Sequence, residues 1–327
     1  MRAIAIEQTG GPEVLKAIDA APAPDPKPGE VRIRHHACGV NFIDTYHRSG
    51  LYPQPLPAIL GVEGAGIVDA VGAGVTHLAV GDRAAYSAPR PGSYAELRTL
   101  PAIPVVRLPD AIDFPRAAAM MLKGLTVQYL LRRTRPQRDL QPGDFVLWHA
   151  AAGGVGLIAC QWAKALGLQL IGTAGTDEKC QLALRYGAAH AINYRTGDVV
   201  KQVRELTGGR GVPVVYDSVG KDTWERSLDC LEPFGLMASF GNASGAPAPV
   251  NLGQLAQKGS LHVTRPTLHT HLATQAVAQQ MSDELFAMVT SGKLTIDAPR
   301  TYALADAAQA HRDLEGRVTT GASVLIP

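Results

Sequence analysis

A glycine turn behind a short apolar run carries the clearest chemistry in this sequence. Phe145 to Trp148 is apolar and bounded by Pro142-Gly143-Asp144, and Gly153, Gly154, Val155 and Gly156 follow. From Val155 the apolar residues recur at helical spacing (Ile158, Ala159, Trp162, Ala163, Leu166), and Gly167 supplies a stop. Strand, glycine turn and helix in that order let backbone N–H groups approach a pyrophosphate, whose charge a helix N-terminus favours. Ala151-x-Gly153-x-x-Gly156 is this fingerprint with alanine in the first glycine position, and alone it also fits a turn packed for structure. The end of the next strand narrows it. A binder of NAD carries Asp or Glu there, about 20 residues on, for the ribose 2′-OH. Here that end reads Thr173-Ala174-Gly175-Thr176, small and neutral. It leaves room for a 2′-phosphate that Lys179 could neutralise, although a solvated helix lysine is the other reading of that residue. NADPH is therefore expected over NADH.

Composition bounds what else the chain can be. Its 327 residues suit two domains at roughly 150 residues each. With 46% apolar and 18% charged residues, large cores can be buried. A net charge of +2 gives no electrostatic case for nucleic acid or a membrane surface, and Arg132-Arg133-Thr134-Arg135 reads as a solvated helix end. Cys38, Cys160, Cys180 and Cys230 are far apart with no CxxC, so neither a zinc cluster nor a disulfide framework is indicated. No apolar leader and no run of about 18 apolar residues occurs, so a soluble cytoplasmic protein is expected.

The elements that must position the turn follow from periodicity. Residues 144–264 alternate strand and helix, which predicts a doubly wound parallel sheet. Asp217-Ser218-Val219-Gly220 and Gly241-Asn242 then fall at the carboxyl edge, where such sheets bind ligands. Before residue 124 the chain reads as short strands with Gly/Pro turns: Met1–Ile6, Val14–Ile18, Glu30–His36, and Tyr94–Glu96 after a turn. His35 and His36 face opposite sides of their strand, so they do not share a metal. Asn41 to Gly50 reads as a strand end entering a short helix. Phe114–Leu122 and Val127–Arg133 read as helix, interrupted at Lys123-Gly124-Leu125-Thr126. His269 and His271 are read as surface loop residues.

Several motifs in order resemble the zinc-free quinone oxidoreductases (zeta-crystallin-like) of the medium-chain dehydrogenase/reductase superfamily. They are Asn41-Phe-Ile-Asp44-Thr-Tyr46, Lys123-Gly-Leu-Thr126, His149-Ala-Ala-Ala-Gly-Gly-Val-Gly156, Tyr216-Asp-Ser218-Val-Gly220 and Ser239-Phe240-Gly241-Asn242. The resemblance implies an α/β architecture in which a Rossmann doubly wound parallel sheet is inserted in a GroES-like β-rich catalytic domain. The expected boundaries are 1–124 and 267–327 for the catalytic domain and 125–266 for the cofactor domain. Zinc members of the superfamily carry a cysteine ligand where Asn41 stands and a His-Glu pair where Val62-Glu63 stands. An amide and a valine are not usual Zn²⁺ ligands, so no metal is expected. The resemblance adds Tyr194 to Lys179 as phosphate partners. It also implies a homodimer paired through the strand near Ser260–Thr264. Arg317 is implied as a further phosphate contact; it reads equally as a cation closing a helix end.

Without metal or nucleophile, the cofactor must supply the chemistry, and the protein must orient an acceptor. A quinone suits this, since its reduction needs placement and donors to a developing oxyanion. Asn41 offers an amide, Tyr46 a phenol (or merely an aromatic wall), and Thr126 a contact to nicotinamide or substrate. Asp44 has a positioning role. The expected cofactor-binding set is Asn41, Asp44, Tyr46, Lys123, Thr126, Gly153, Gly154, Val155, Thr173, Gly175, Thr176, Lys179, Tyr194, Ser218, Phe240, Gly241, Asn242, Arg265 and Arg317. Two rival functions remain: an NADPH-dependent enone or alkenal double-bond reductase, and a non-enzymatic protein that binds NADPH and RNA. Against the second, the chain has no basic stripe.

Overall fold

A computed structural model describes residues 1–134, 138–316, 318 and 321–327. Along the chain run β1 (Arg2–Ile6), β2 (Lys16–Asp19), β3 (Glu30–Val40), α1 (Phe42–Ser49), β4 (Ala58–Ile59), β5 (Glu63–Val71), β6 (Arg83–Ser87), β7 (Leu97–Pro101), β8 (Val105–Arg107) and α2 (Phe114–Arg132). There follow β9 (Phe145–Trp148), α3 (Gly154–Ala165), β10 (Gln169–Ala174), α4 (Asp177–Arg185), β11 (His190–Asn193), α5 (Val199–Leu206), β12 (Val212–Asp217), α6 (Trp224–Asp229), β13 (Leu231–Ser239), α7 (Gly253–Gln257) and β14 (His262–Thr264). The chain closes with α8 (Leu268–His271), α9 (Gln275–Thr290), β15 (Arg300–Ala303), α10 (Ala307–Glu315) and β16 (Ser323–Ile326). Two compact units result: Met1–Leu125 with His269–Ser291 and Ile296–Pro327, and Thr126–Leu268 with Gly292–Thr295.

The first unit is built from both chain ends. A seven-stranded sheet in the order β15-β16-β3-β5-β6-β8, with β7 on β3, lies beside a three-stranded sheet β2-β1-β4. Strand β3 shows why: Val31, Ile33 and His35 are buried while Arg34 and His36 are exposed, the period-2 pattern of a half-buried strand. One apolar cluster joins Ile4, Ile6, Leu60 and Tyr94 to Leu304 and Leu325 from the C-terminal segment. A second gathers Val31, Ile33, Val68, Tyr86, Leu100 and Val105.

The second unit is a six-stranded parallel sheet in the order β11-β10-β9-β12-β13-β14. Counted within the unit this is 3-2-1-4-5-6, the doubly wound dinucleotide-binding order. Strand β12 is buried throughout, as a central strand covered on both faces must be. Pro213, which lacks an N–H for the ladder, sits where the β12–β13 register shifts.

Three local expectations are corrected. Tyr94–Glu96 is not a strand; it makes one bridge, Ala3 to Ala95, while Tyr94 bonds Ile4 and Leu60 and the carbonyl of Glu96 accepts from His35. Helix α2 runs unbroken through Lys123–Thr126. Gly124 is there for packing, since a Cβ would lie 2.6 Å from Cδ1 of Leu285; an interior glycine costs only about 1 kcal/mol of helix stability. His269 and His271 belong to the short helix α8, half-buried, and burial pushes His269 down to about 4. The short elements α7 and β15 were not expected from periodicity.

Candidate active site and cofactor cradle

In the second unit the cradle begins at the end of β9. Ala150 takes φ 55°, a left-handed conformation unfavourable for alanine, and turns the chain sharply into α3. A Cβ on Gly156 would lie 2.5 Å from the carbonyl oxygens of both Ala150 and Ala151, so only glycine lets the first helical turn sit this close. Gly153 caps α3 with no side-chain hydrogen bond, and the first turn carries no acidic residue. Its backbone donors and dipole thus suit an anion. These features fit a dinucleotide pyrophosphate. Strand β10 ends in Ala174, and at Gly175 a Cβ would lie 2.7 Å from the Tyr194 hydroxyl and 3.6 Å from Nε of Arg195. Lys179 stands in the first turn of α4, whose N-cap Thr176 accepts a bond from its backbone N–H. Exposed Arg195 was not expected from the sequence; its signal is its place directly after Tyr194.

Ser218, Phe240, Gly241 and Asn242 all follow the carboxyl ends of β12 and β13. A Cβ on Gly241 would press 2.4 Å from the Ser218 carbonyl. Arg265 donates from Nη1 to the carbonyls of Ser239 (2.9 Å) and Gly241 (3.1 Å), so it shapes this loop. Thr173 is buried and its hydroxyl lies 2.9 Å from Nδ1 of His149. His149 reaches Ser227 through Nε2 (3.0 Å), and Ser227 donates to Asp217 (2.7 Å). Thr223 and the N–H groups of Val219 and Gly220 also donate to Asp217, which pins the turn carrying Ser218.

In the first unit a buried polar cluster forms between α1, β5 and α2. Asn41 caps α1, and Asp44 returns a bond to the Asn41 N–H (2.9 Å), a reciprocal capping box. The Asn41 amide donates to Glu63 Oε2 at 2.7 Å, and its oxygen accepts from Lys123 Nζ at 2.6 Å. The other Glu63 oxygen accepts from the Leu122 N–H at 2.7 Å, and Lys123 lies 3.7 Å from Oε2. Gly39 makes the room: a Cβ there would stand 2.2 Å from Glu63 Oε2. Burial pushes the Glu63 carboxyl up, opposed by the Lys123 ammonium and the Asn41 amide. Glu63 lay outside the expected site set, because its partners are 22 and 59 residues distant in sequence.

Asp44 anchors a second array. Its Oδ2 accepts from the Tyr94 hydroxyl at 3.0 Å; Tyr94 lies 3.0 Å from Nε2 of His311, and Nδ1 of His311 is 3.1 Å from Arg48. Arg48 pairs with Glu315 at 2.7 Å. The second Asp44 oxygen is buried with no protein partner among the described residues. Burial pushes Asp44 up to about 7 and His311 down to about 3. Tyr46, on the same helix, meets Tyr52 edge-on at 5.3 Å.

The structure therefore gathers Asn41, Asp44 and Lys123 in the first unit, with Tyr46 nearby on α1. Thr126 and the residues from Gly153 to Arg265 belong to the second. Arg317 lies outside the described residues. Among the described residues no group of three or more His, Cys, Asp or Glu could hold a metal ion, and no helix is long and apolar enough to cross a membrane.

A strand-built unit from both chain ends, with an inserted doubly wound dinucleotide fold, defines a medium-chain dehydrogenase/reductase. Residues 27–110 match the alcohol dehydrogenase GroES-like domain, and residues 154–285 match the zinc-binding dehydrogenase domain. A quinone oxidoreductase of Pseudomonas aeruginosa is 58% identical, covering 97% of each chain. The crystal structure of an Escherichia coli quinone oxidoreductase complexed with NADPH superposes with a TM-score of 0.96 at 54% identity, covering 100% of both chains. A 2-haloacrylate reductase from a Burkholderia species is 44% identical over 99% of this chain and 98% of its own. The chain belongs to the quinone oxidoreductase family of the medium-chain dehydrogenase/reductases.

Proposed function

We propose that this protein is an NADPH-dependent quinone reductase. The observation that carries the reading is the cradle of the second unit: a glycine turn with no room for a side chain at Gly156, followed by a strand end without acid beside Lys179, Tyr194 and Arg195. That arrangement favours a 2′-phosphorylated dinucleotide over NADH. When bound, NADPH supplies a hydride; the protein orients the acceptor and offers donors to its oxygen. Asn41, Lys123 and Tyr46 are the first unit's candidates for that task. Asp44 and the second-unit residues named above hold the cofactor, with Thr126 at its nicotinamide end.

Metal independence is supported by the side chains themselves. Both Glu63 oxygens and the Asn41 amide are engaged with protein partners. A homodimer is supported by β14, an edge strand with exposed Val263, beside β13 with exposed Phe234. A cytoplasmic enzyme is the matching location. The name of the Burkholderia relative favours an activated alkene as the second reading.

The test is a steady-state comparison of a simple benzoquinone and an enone, each with NADPH and with NADH. The expected result is turnover of the quinone, with NADPH preferred at least about tenfold in kcat/KM. Enone turnover exceeding quinone turnover would exchange the two readings, and equal use of both cofactors would remove the 2′-phosphate argument.

A further inference from the structure

Buried lysines are rare because the ammonium must be desolvated, and each one needs an explanation. Lys123 has only 9% of its side chain exposed, and Glu63, its ion-pair partner, has none. The helix α2 delivers Lys123 while the adjacent Leu122 N–H fixes the far oxygen of Glu63. One ammonium proton goes to Asn41 Oδ1 and a second faces Glu63. No acceptor for the third exists among the described residues. A structural ion pair would bury completely and satisfy every donor; this one keeps a donor in reserve, on a side chain that is not wholly closed off.

We propose that Lys123 is a catalytic residue of quinone reduction, the cation that receives the acceptor's developing oxyanion, and not a cofactor ligand. This rests on the quinone-reductase reading. The balance is simple. NADPH, when bound, would supply the hydride: its C–H bond would break with the electron pair, an O–H bond would form on one quinone oxygen, and the hydroquinone monoanion would carry its charge on the other, leaving NADP⁺. The free N–H of Lys123 donates to the oxygen that gains charge and passes its proton to it. Solvent returns a proton to the amine, so one H⁺ is consumed per turnover. Asn41 and Glu63 are positioning residues: they fix the ammonium in a desolvated place, where a fixed donor is worth more than in water.

The test removes charge without leaving an unpaired buried carboxylate, using the double variant Lys123→Met with Glu63→Gln. In the dimeric or monomeric protein as purified, kcat for benzoquinones is expected to fall about 100-fold. The dissociation constant of NADPH, read by fluorescence titration, stays within about threefold. Across a series of substituted quinones, the loss is greatest for those giving the most basic oxyanion, a gradient that a merely structural role would not create. Lys123→Arg recovers part of the rate. Should the double variant not fold, Lys123→Gln, neutral and still able to donate to Asn41, gives the same readouts. Retained kcat, a loss uniform across the series, or a parallel loss of NADPH affinity overturns the assignment. A wild-type protein that reduces no quinone refutes the functional reading itself; one that does, with an unimpaired variant, refutes only the role of Lys123.

Discussion

Asp44 in the first unit and Asp217 in the second are both fully buried, and each ends a hydrogen-bond chain threaded through a neutral histidine. In the first, Arg48 donates to Nδ1 of His311, so Nε2 carries the proton toward Tyr94, whose hydroxyl donates to Asp44. In the second, Thr173 donates to His149, His149 to Ser227, and Ser227 to Asp217. The chains differ at their ends. Asp217 receives Val219 N–H, Gly220 N–H, Thr223 and Ser227, two donors to each oxygen. Asp44 receives two donors on one oxygen and, among the described residues, none on the other. A complete donor set makes a carboxylate a structural pin; at Asp44 burial raises the pKa, and the incomplete donor set leaves one oxygen in reserve.

The largest expected effect tests the pin. Asp217→Ala strands four donors in a dry core and should cost about 5 kcal/mol. Urea denaturation reads it as a lower midpoint with unchanged slope. A loss under about 2 kcal/mol would mean the turn finds other acceptors and is no pin.

Asp44 should behave oppositely, with a pH signature. Its folded pKa, about 7, lies above its ordinary 3.8, so the native state holds a proton that the unfolded chain releases. Stability from this group is full below pH 4 and is lost as pH rises to 7 and beyond, amounting to up to about 4 kcal/mol. The groups acting on it are the Asn41 N–H, Tyr94 and Lys123, which lower its pKa, and Glu63, which raises it. Asp44→Asn removes the titration. Its stability relative to wild type should therefore rise between pH 4 and 7; a constant difference across that window would show that Asp44 is ionised in the native state throughout.

The comparison also marks what the sequence could reveal. The cradle was legible because its parts are neighbours: the β9 run, Gly153 to Gly156, and the helical spacing after Val155 lie within a few turns. The parallel sheet followed from the same local alternation. The buried polar cluster of the first unit was only half legible. Asn41 and Lys123 stood out, but Glu63 reveals itself only when β5 pairs with β3 and α2 lays Leu122 against it. Tyr94 and His311, 217 residues apart, have no sequence signal at all. Gly124 misled in the other direction, since a residue that breaks helices in isolation here admits Leu285. Thr173 was placed correctly at the strand end, yet its hydroxyl turns inward to His149.

The rim of the second unit holds side chains placed for a ligand, in contrast to these pins. Arg195 is exposed, and its Nε borders the space above Gly175 beside the Tyr194 hydroxyl. A guanidinium fork there would meet a 2′-phosphate. Arg195→Gln should weaken 2′,5′-ADP binding about tenfold, roughly 1.4 kcal/mol, and leave 5′-AMP binding unchanged. Isothermal titration decides it, and equal weakening of both nucleotides would place Arg195 away from the phosphate.

The smallest effect separates the two roles within one strand end. Thr173 was expected to touch the cofactor, but its carbonyl accepts from the Ala151 N–H at 3.0 Å, it pairs with Ile192 in the β10–β11 ladder, and its side chain heads the chain to Asp217. Thr173→Val keeps shape and burial while removing only the hydroxyl. If the hydroxyl belongs to the pin, Nδ1 of His149 loses its donor and stability falls by about 1 kcal/mol, while NADPH affinity stays within about twofold. If the hydroxyl instead turns outward to a ribose, affinity falls tenfold or more and stability barely changes. The second result would also open the His149 chain at its head. The contrast between a closed chain in one unit and an open one in the other would then have to be abandoned.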